Sequence, residues 1–336
     1  MRVNRQLRLA KRPVGEPTFD DFEVAEVDTP SPEDGEALVQ VLQISLDPAM
    51  RGWMSDRPSY VPPVGLGEVM RAGTTGVVLE SNTDALAPGD HVVGILGVQE
   101  QASVPGETLT KVDTAMAPLA TYLGALGMPG LTAYFGLTEV GDLKEGDTVV
   151  ISGAAGAVGS VAGQVAKAKG AGNVVGIAGG PEKCTWIVDD LGFDAAIDYK
   201  SEHVGRRLHE LCPDGINVYF DNVGGEILDA ALANLAWGAR VVICGAISQY
   251  NAEGGMRGPS NYMMLLVRRA RMQGFLVFDY VKQYRDALRE MGGWLADGRL
   301  KAREEVVDGT IEDFPATLMK LFRGENTGKL VLQIGE

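Results

Sequence analysis

Cysteine and histidine, the residues that most often bind zinc, are scarce in this sequence. Its 336 residues include three cysteines and three histidines, and no two cysteines form a Cys-x-x-Cys pair. No cysteine precedes Cys184, and the only histidine before that point is His91. Because a zinc site needs three or four ligands, we predict that the protein has no metal centre. The odd number and wide spacing of Cys184, Cys212 and Cys244 fit reduced, mostly buried thiols in a reducing compartment.

Long apolar runs and clusters of basic residues are also missing. No segment approaches the length of a membrane span, and Met1–Lys11 lacks the apolar centre of a signal peptide. We therefore expect a cytoplasmic protein with no membrane partner. The formal net charge is −15, and the nearest approach to a basic stripe is Arg268, Arg269 and Arg271. Since phosphates would be repelled, we expect no nucleic-acid partner.

The chain is long enough for two domains, and its pattern changes along its length. Early apolar stretches are short, rich in Val, Leu and Ile, and separated by turn clusters; they are Glu36–Ile44, Thr75–Glu80 and Asp90–Ile95. Such spacing predicts a small β-barrel or sandwich. From about Met128 the predicted strands and helices alternate, which is typical of a doubly wound parallel sheet. After Gly298 we predict β structure again, ending in a strand that we expect to pack on the first domain.

Hydrophobic periodicity sets the predicted elements of the alternating part. The predicted strands are Thr148–Ser152, Asn173–Ala178, Ala195–Tyr199, Ile216–Asp221, Ala239–Cys244 and Met272–Phe278. The predicted helices are Ala157–Lys169, Pro181–Leu191, Gly225–Leu235 and Tyr280–Asp297. Repeated strand–helix–strand units of this kind predict an α/β fold with a Rossmann sheet.

The strongest chemical signal is the glycine-rich segment Ser152–Gly159, whose sequence is SGAAGAVG. It follows a predicted strand and opens an amphipathic helix, which is the context that dinucleotide binding requires. At this spacing Gly153 lets the chain turn sharply, Gly156 lets the backbone approach a pyrophosphate, and Gly159 lets the helix pack closely on the strand. The helix N-terminus then offers N–H groups and partial positive charge to the phosphates. We therefore predict a dinucleotide site at this turn.

The end of the second strand of the sheet distinguishes NADP from NAD. NAD sites usually place Asp or Glu there for the ribose hydroxyls, but this chain reads GIAGGPEK from Gly176 to Lys183. The small residues leave room for a 2′-phosphate, and Lys183 supplies a countercharge. We therefore predict NADPH as the cofactor. The alternative for Lys183 is an ordinary solvated residue on the first turn of a helix.

Other catalytic motifs are missing, which narrows the chemistry. There is no G-x-S-x-G nucleophile elbow. The segment Gly324–Leu330 resembles a phosphate loop but is one residue short, and Leu330 stands where Ser or Thr is needed. Without a metal, a tyrosine hydroxyl, a backbone N–H or the cofactor ribose must polarise the substrate. A conjugated carbonyl suits such a site, because hydride addition at the β-carbon creates an enolate that one donor stabilises.

Several segments resemble the zinc-free medium-chain dehydrogenase/reductase superfamily, and within it the branch of prostaglandin reductases, alkenal double-bond reductases and curcumin reductases. The match of each segment alone has modest specificity for the family, but the segments occur in the same order and together span nearly the whole chain. The segments are Asp47–Gly52, Pro63–Met70, Ala154–Gly159, Tyr219–Gly225, Gly245–Asn251, Gly274–Val277 and Asn326–Lys329.

The resemblance implies a GroES-like β-rich domain, built from residues 1–127 and 300–336, around a Rossmann NADP-binding domain of residues 128–299. It also implies a homodimer, and NADPH contacts at the positions that match the family motif. Those at the pyrophosphate and adenosine end are Gly153, Ala154, Gly156, Ala157, Val158, Gly159, Lys183, Tyr199 and Asn222. Those at the nicotinamide end are Cys244, Ala246, Ser248, Tyr250, Phe275, Val277 and Asn326.

Two tyrosines are the candidates for the catalytic donor. Tyr250 matches the family tyrosine that supports the enolate or fixes the nicotinamide ribose, and a phenol can share its proton at neutral pH without losing it. The alternative for Tyr250 is a surface-loop tyrosine beside Asn251. Many relatives have Tyr where this chain has Ala49, and Tyr60, in a proline-flanked loop, is our candidate replacement. Because Ala49 differs from the tyrosine of many relatives, we do not infer the substrate of this protein from the family resemblance.

The sequence thus favours an NADPH-dependent reductase of the C=C bond of α,β-unsaturated ketones and aldehydes, with hydride added to the β-carbon. The substrate would be a small enone or enal. Two alternatives stay open: a zinc-free NADPH quinone reductase, and a non-catalytic NADPH-binding protein with a structural or sensor role. Tyr250 and Asn326 argue against the last, since a structural protein has no need of a tyrosine at the nicotinamide end.

Overall fold

The computed structural model describes residues 3–335 of the chain, which divides into two compact units. One unit combines residues 1–123 with residues 304–336, and the other contains residues 124–303. The first unit contains a two-stranded and a seven-stranded sheet, the second unit contains a six-stranded sheet, and each unit has its own hydrophobic core. No helix within residues 3–335 is long and apolar enough to cross a membrane.

The first unit consists mainly of β-strands. A two-stranded antiparallel sheet pairs β1 (Val3–Leu9) with β2 (Phe22–Asp28). A seven-stranded sheet contains β3 (Glu36–Ser45), β4 (Thr74–Ser81), β5 (His91–Gly94), β6 (Gln101–Pro105), β7 (Thr110–Lys111), β14 (Glu304–Asp308) and β15 (Lys329–Gln333). Its order is β14-β15-β3-β4-β5-β7, and β6 also pairs with β3. Because β15 pairs with β3, segments from both ends of the chain share one sheet.

In the described part of the first unit there are two α-helices, α1 (Met50–Trp53) and α9 (Phe314–Phe322). Short 3-10 helices cover Phe19–Asp21, Gly106–Thr108, Leu119–Leu123 and Ile311–Asp313. Helix α9 contributes Phe314 and Leu318, both completely buried, to the core of this unit. The prediction of β structure throughout this part of the chain is wrong over α9. The Asp313 carboxylate accepts the Thr310 N–H at 2.8 Å and so caps a 3-10 helix, Ile311–Asp313, which leads directly into α9. Pro315 occupies the first turn of α9, a usual position for proline.

The second unit is a parallel sheet with helices. Its strands are β8 (Thr148–Ser152), β9 (Asn173–Ala178), β10 (Ala195–Asp198), β11 (Ile216–Asp221), β12 (Leu235–Ile243) and β13 (Arg271–Gly274). Its helices are α2 (Met128–Phe135), α3 (Ala157–Ala168), α4 (Pro181–Asp189), α5 (Val204–Leu211), α6 (Gly225–Ala233), α7 (Met263–Arg268) and α8 (Tyr284–Ala296).

The strand order is β10-β9-β8-β11-β12-β13, and every neighbouring pair runs parallel. The chain builds the sheet outward from β8 in one direction and then outward from β11 in the other. The boundary between β8 and β11 is therefore the switch point, at whose carboxyl end ligands bind in open α/β sheets. Strands β8, β9 and β11 are runs rich in Val, Ile and aromatic residues that are buried nearly throughout, as expected where helices cover a parallel sheet.

The last predicted strand of this sheet, Met272–Phe278, is partly wrong. Strand β13 ends at Gly274, and a 3-10 helix occupies Val277–Gln283 before α8 begins. The side chain of Val277 is buried in a cluster with Leu131, Phe135 and Ala287. The apolar run after Gly274 therefore contributes to packing between helices, and this explains why it reads like a strand in sequence.

Candidate functional site

The glycine-rich turn joins the C-terminal end of β8 to the N-terminus of α3. Gly153 directly follows the strand with a φ of +59°, a left-handed conformation that favours glycine. The Gly156 N–H donates to the Gly153 carbonyl at 3.0 Å, and the Ala154 N–H donates to the Ile177 carbonyl of β9 at 3.0 Å. The first bond closes the turn, and the second holds it against β9. The helix begins at Ala157, and its first N–H groups have no carbonyl partner within their own helix.

Gly159 and Gly156 differ in what surrounds them. A Cβ atom on Gly159 would lie 2.3 Å from the Gly153 oxygen and 2.8 Å from the Ala154 Cα, so only glycine lets α3 pack this closely on the turn. A Cβ atom on Gly156 would lie 3.3 Å from the Gly153 oxygen, and its φ of −89° suits any residue. The chain itself therefore explains glycine at 159. Glycine at 156 instead fits a group outside the chain, such as the predicted pyrophosphate.

Asn222 follows β11 and lies against the glycine turn. Its Nδ2 donates to the Ser152 carbonyl at 2.7 Å, and its backbone N–H donates to the Ser152 hydroxyl oxygen at 2.9 Å. A Cβ atom on Gly153 would lie 3.4 Å from the Asn222 Cβ. The residue predicted to contact the ribose and pyrophosphate is therefore at the switch point, beside the turn predicted to bind the same group.

A buried carboxylate, Asp221, connects the strand ends around the switch point, and it was not predicted from the sequence. The residue is 1% exposed. Burial raises the pKa of Asp221, while hydrogen bonds to its carboxylate act in the opposite direction. Its Oδ1 accepts from the hydroxyls of Ser152 and Tyr219 at 2.9 and 3.0 Å and from the N–H groups of Val223 and Gly224 at 3.1 and 3.0 Å. The only sequence signal for this role is the position of Asp221 as the last residue of a buried strand.

The segment after β12 returns to the same place. The Cys244 N–H donates to the Asp221 carbonyl at 2.9 Å, and the Ile247 N–H donates to the Asn222 carbonyl at 3.2 Å. The Ser248 hydroxyl donates to the next carbonyl along, that of residue 223, at 2.6 Å. The structure therefore brings this predicted nicotinamide-end segment beside Asn222, whereas its role toward the cofactor stays a prediction.

The side chain of Tyr250 folds back over its own loop. Its hydroxyl oxygen accepts the Ala246 N–H at 3.0 Å, and a Cβ atom on Gly245 would lie 2.9 Å from the same oxygen. The phenol oxygen therefore lies just beyond the carboxyl end of β12. A hydroxyl that accepts from a backbone N–H still has its own proton to donate, which is what an enolate donor requires.

The thiol of Cys244 is poorly suited to act as a nucleophile, because the nucleophilic form of cysteine is the thiolate. Burial raises its pKa to about 12, so the thiol stays protonated at neutral pH. The other two cysteines, Cys184 and Cys212, are also free, and burial raises the pKa of each to about 11. Within residues 3–335, no group of three or more His, Cys, Asp and Glu side chains is arranged to hold a metal ion.

Two glycines lie at the carboxyl end of β9, where the adenosine ribose is expected. A Cβ atom on Gly179 would lie 3.0 Å from the Tyr199 hydroxyl oxygen and 2.9 Å from Cε1 of the same ring, so the phenol crosses this glycine. Gly180, with a φ of +96°, caps α4, and Lys183 lies on the first turn of that helix. Both residues predicted for the 2′-phosphate, Lys183 and Tyr199, are thus placed around these glycines.

Two polar residues at this edge were missed in the sequence prediction, Asp198 and Lys200. The Asp198 Oδ1 accepts the N–H groups of Gly180 and Lys200 at 2.7 and 3.0 Å. Burial acts to raise the pKa of Asp198, but the hydrogen bonds to its carboxylate outweigh burial, and the pKa is lowered. Both residues flank the end of β10, the neighbour of β9. The convergence of adjacent parallel strand ends is the signal that could have identified them.

Phe275 and Val277 follow β13. Phe275 is half-buried and packs edge-on against Phe220, with ring centroids 6.5 Å apart. The side chain of Val277 is 6% exposed, and its carbonyl accepts the Tyr284 hydroxyl at 3.0 Å. Any contact of Val277 with a ligand would therefore involve its backbone, while Phe275 could present part of its ring.

The first unit carries the remaining predicted residues, Tyr60 and Asn326. Tyr60 is 49% exposed, and its hydroxyl oxygen accepts the Trp53 indole N–H at 3.4 Å. Asn326 is 9% exposed, and its Nδ2 donates to the Gly328 carbonyl at 3.0 Å. Asn326 is therefore a fixed side chain within its loop, whereas Tyr60 lies on an accessible one.

A buried ion pair joins two of the segments that carry the family resemblance. The Lys329 ammonium donates to Asp47 Oδ1 at 2.7 Å and to the Leu46 carbonyl at 2.8 Å. The side chains of Lys329 and Asp47 are only 2% and 9% exposed. The pair fixes the start of β15, next to Asn326, against the segment that contains Ala49. This partnership was not predicted, because the two residues are distant in sequence.

Comparison with known proteins gives consistent matches along the chain. The family model described as the N-terminal domain of oxidoreductase matches residues 5–112, and the one described as zinc-binding dehydrogenase matches residues 157–293. The NADPH-dependent curcumin reductase of Escherichia coli (strain K12) is 42% identical, covering 98% of this chain and 97% of that protein. The 2-alkenal reductase (NADP(+)-dependent) of Nicotiana tabacum is 40% identical, with coverages of 98% and 97%. The crystal structure of CurA from Vibrio vulnificus in complex with NADPH has 44% identity, 99% coverage of each chain and a TM-score of 0.93.

Similarity at this level over nearly the whole chain shows the family. It confirms the predicted fold class, a Rossmann domain with a GroES-like β-rich domain, and the predicted NADP cofactor. The chain therefore belongs to the zinc-free medium-chain dehydrogenase/reductase family and is an NADP-dependent oxidoreductase of that family.

Proposed function

We propose that this protein uses NADPH to reduce the C=C bond of α,β-unsaturated ketones and aldehydes. The observation that carries the proposal is the fixed Tyr250 hydroxyl, which accepts the Ala246 N–H at 3.0 Å in a loop bonded to Asn222. A proton donor at this edge of the sheet suits a developing enolate. Two relatives support the substrate class, since they are named for curcumin and for 2-alkenals, compounds whose C=C bond is conjugated to a carbonyl.

The residues around the switch point fit NADPH. Glycine at 156, where a Cβ atom would have the Gly153 oxygen as its one close neighbour, at 3.3 Å, leaves the backbone open to a pyrophosphate beside the first N–H groups of α3. Gly180, where a Cβ atom would have no neighbour within 4 Å, leaves room for a 2′-phosphate near Lys183 and Tyr199. The other proposed contacts are Asn222 and, toward the nicotinamide, residues 244–250, Phe275, Val277 and Asn326. When bound, NADPH supplies the hydride that is added to the β-carbon.

Tyr250 is the proposed catalytic residue. Hydride addition to the β-carbon moves negative charge onto the carbonyl oxygen of the substrate. The Tyr250 hydroxyl donates a hydrogen bond to that oxygen while the Ala246 N–H holds the phenol oxygen in place. Solvent then supplies the proton to the α-carbon.

Tyr60 is a second proposed donor. The Trp53 indole N–H donates to the Tyr60 hydroxyl oxygen, and this bond does not use the hydroxyl proton of Tyr60. Unchanged kinetics of Tyr60→Phe with every enone would remove Tyr60 from this role.

The test is oxidation of NADPH in the presence of a 2-alkenal, an aryl enone or a benzoquinone, with NADH as the control cofactor. We expect turnover of the enal or enone with NADPH and formation of the saturated carbonyl compound. Preferential turnover of the benzoquinone would favour the quinone reductase alternative. Binding of NADPH without its oxidation by any acceptor would contradict catalysis and leave a non-catalytic NADPH-binding protein.

We also propose that the protein is a homodimer. Strand β13 lies at one edge of the six-stranded sheet, and all its residues are exposed. The preceding helix α7 exposes Leu266 and Val267, at 68% and 51%. An exposed edge strand beside apolar surface is suited to pairing with a second copy across a two-fold axis. Light scattering that gives the 35.7 kDa mass of one chain would contradict the dimer.

A cytoplasmic location stays a prediction, which the three free cysteines support.

A further inference from the structure

Lys200 follows β10 and has no role in the site as described so far. We propose that Lys200 binds the 2′-phosphate of NADPH, so that two cations hold this group instead of Lys183 alone. The inference rests on the proposed function, because its ligand is the phosphate monoester of the proposed cofactor.

The side chain of Lys200 crosses the glycine at the end of β9. A Cβ atom on Gly179 would lie 3.0 Å from the Lys200 Cε, and it would lie equally close, at 3.0 Å, to the Tyr199 hydroxyl oxygen. The end of the Lys200 side chain and the Tyr199 phenol therefore both lie over one residue that has no side chain of its own. A phosphate bound beside these two side chains would have an ammonium and a phenol as neighbouring donors.

Hydrogen bonds to Asp198 hold the backbone of Lys200 in place. The Asp198 carboxylate accepts the N–H groups of Lys200 and Gly180 through Oδ1, at 3.0 and 2.7 Å. Its Oδ2 accepts the Ser201 hydroxyl at 2.8 Å. One carboxylate thus connects the end of β9 to the residues after β10. Lys200 consequently extends from a fixed point and remains exposed to a ligand.

The local charge balance requires a second cation. The carboxylate of Asp198 lies beside the N–H groups of Gly180 and Lys200 that donate to it. The side chain of Glu182 is exposed on the first turn of α4. If Lys183 were the only cation, a dianionic phosphate would meet one positive charge and the carboxylates of Asp198 and Glu182. A third carboxylate, Glu202, accepts the Asp198 N–H at 2.8 Å but is paired with Arg207 at 2.7 Å. Lys200 offsets the second carboxylate, and its charge interacts favourably with Asp198. NADH carries no 2′-phosphate, so this contribution should act on NADPH alone.

Nucleotide fragments test the assignment without depending on turnover. The probes are adenosine 2′,5′-bisphosphate and adenosine 5′-monophosphate, which differ only in the 2′-phosphate, and calorimetry gives their affinities. The full chain is compared with Lys200→Met, with the conservative Lys200→Arg and with the control Lys301→Met. Lys301 is an exposed lysine of the same unit whose backbone groups bond to Gln164.

We expect Lys200→Met to weaken bisphosphate binding about tenfold, a loss in the range of one charge-assisted hydrogen bond. Monophosphate binding should not change, Lys200→Arg should keep most of the affinity, and Lys301→Met should resemble the parent. In turnover, the KM for NADPH should rise while kcat and the constants for NADH stay the same. Equal losses for both nucleotides, or no loss for either, would overturn the assignment of Lys200.

The same measurements separate this inference from the proposed function. A Lys200-dependent preference for the bisphosphate, found together with no reduction of any enone, would refute the substrate class and leave Lys200 as a 2′-phosphate residue. Turnover of an enone with a KM for NADPH that Lys200→Met does not alter would support the function and refute the role of Lys200.

Discussion

Three glycines in one turn offer a sharp test of the nucleotide site, because the structure gives each a different reason to be glycine. Gly153 has a left-handed backbone, with φ of +59°. Gly159 has no space for a methyl group. Gly156 has an ordinary backbone conformation, and a methyl group there would meet only the Gly153 oxygen, at 3.3 Å, which a shift of a few tenths of an ångström accommodates. Single substitutions to Ala should therefore separate folding from cofactor binding.

The magnitudes follow from the contacts of the added methyl group. In Gly159→Ala it would lie 2.3 Å from a carbonyl oxygen, and overpacking of this kind costs about 1–3 kcal/mol or more. In Gly153→Ala its nearest neighbour would be at 3.4 Å, so the cost is that of the left-handed backbone, about 1–2 kcal/mol. In Gly156→Ala a weaker helix cap and a less flexible unfolded chain each contribute about 0.5–1 kcal/mol with opposite signs, and stability should barely change.

The assay combines urea unfolding with NADPH affinity measured by fluorescence. We expect Gly159→Ala to lose most stability, Gly153→Ala less and Gly156→Ala least. NADPH affinity of Gly156→Ala should nevertheless fall at least about tenfold. A tenfold change corresponds to the loss of about 1.4 kcal/mol of binding free energy. Full NADPH affinity in Gly156→Ala would refute the backbone approach to the pyrophosphate. Parent-like stability of Gly159→Ala would refute the packing argument.

Three further predictions concern other parts of the molecule. Lys329→Met should destabilise the protein by about 3–5 kcal/mol in urea unfolding, because it leaves the Asp47 carboxylate buried and unpaired; a double variant with Asp47→Leu should recover most of the loss, and no recovery would contradict this. Gly245→Ala should lower kcat more than it affects the KM for NADPH in steady-state kinetics, since its methyl group would displace the Tyr250 hydroxyl, 2.9 Å away; unchanged kcat would count against the catalytic role of Tyr250. Burial raises the pKa of Glu304 in the folded protein, so stability decreases as the pH rises through and above its unfolded value, about 4.3. Glu304→Gln should therefore raise Tm at pH 7 but not near pH 4, and equal shifts at both values would contradict the argument.

The strands of the parallel sheet were predictable where burial is continuous. The predicted strands Thr148–Ser152, Asn173–Ala178 and Ile216–Asp221 have the same bounds as β8, β9 and β11, because each is a buried run between residues that interrupt a strand. The prediction failed where apolar residues serve another purpose. The run after Gly274 was read as a strand, but Val277 packs between helices, and hydrophobicity alone does not distinguish the two kinds of burial.

The parts of the site that depend on local backbone conformation were predictable from the sequence. The parts that depend on contacts between residues distant in sequence were less predictable. The turn Ser152–Gly159 is local, so its strand–turn–helix context could be read from the sequence. The Lys329–Asp47 pair and the position of Lys200 over Gly179 depend on which strands become neighbours. That information arises only when the sheet order is established, and the types of the residues involved do not reveal it.

The charge of the protein raises the question of how an acidic chain binds an anionic cofactor. The formal net charge is −15, and the carboxylate of Asp221 accepts a hydrogen bond from Ser152, the residue before the glycine turn. Asp221 is surrounded by donors, since Ser152, Tyr219 and two backbone N–H groups all bond to its Oδ1. These bonds stabilise the charged carboxylate where it is, in the way that bonds from Gly180, Lys200 and Ser201 stabilise Asp198 at the other end. In both places a carboxylate fixes the backbone of the proposed site, and we assign the phosphates to helix N–H groups and to lysines.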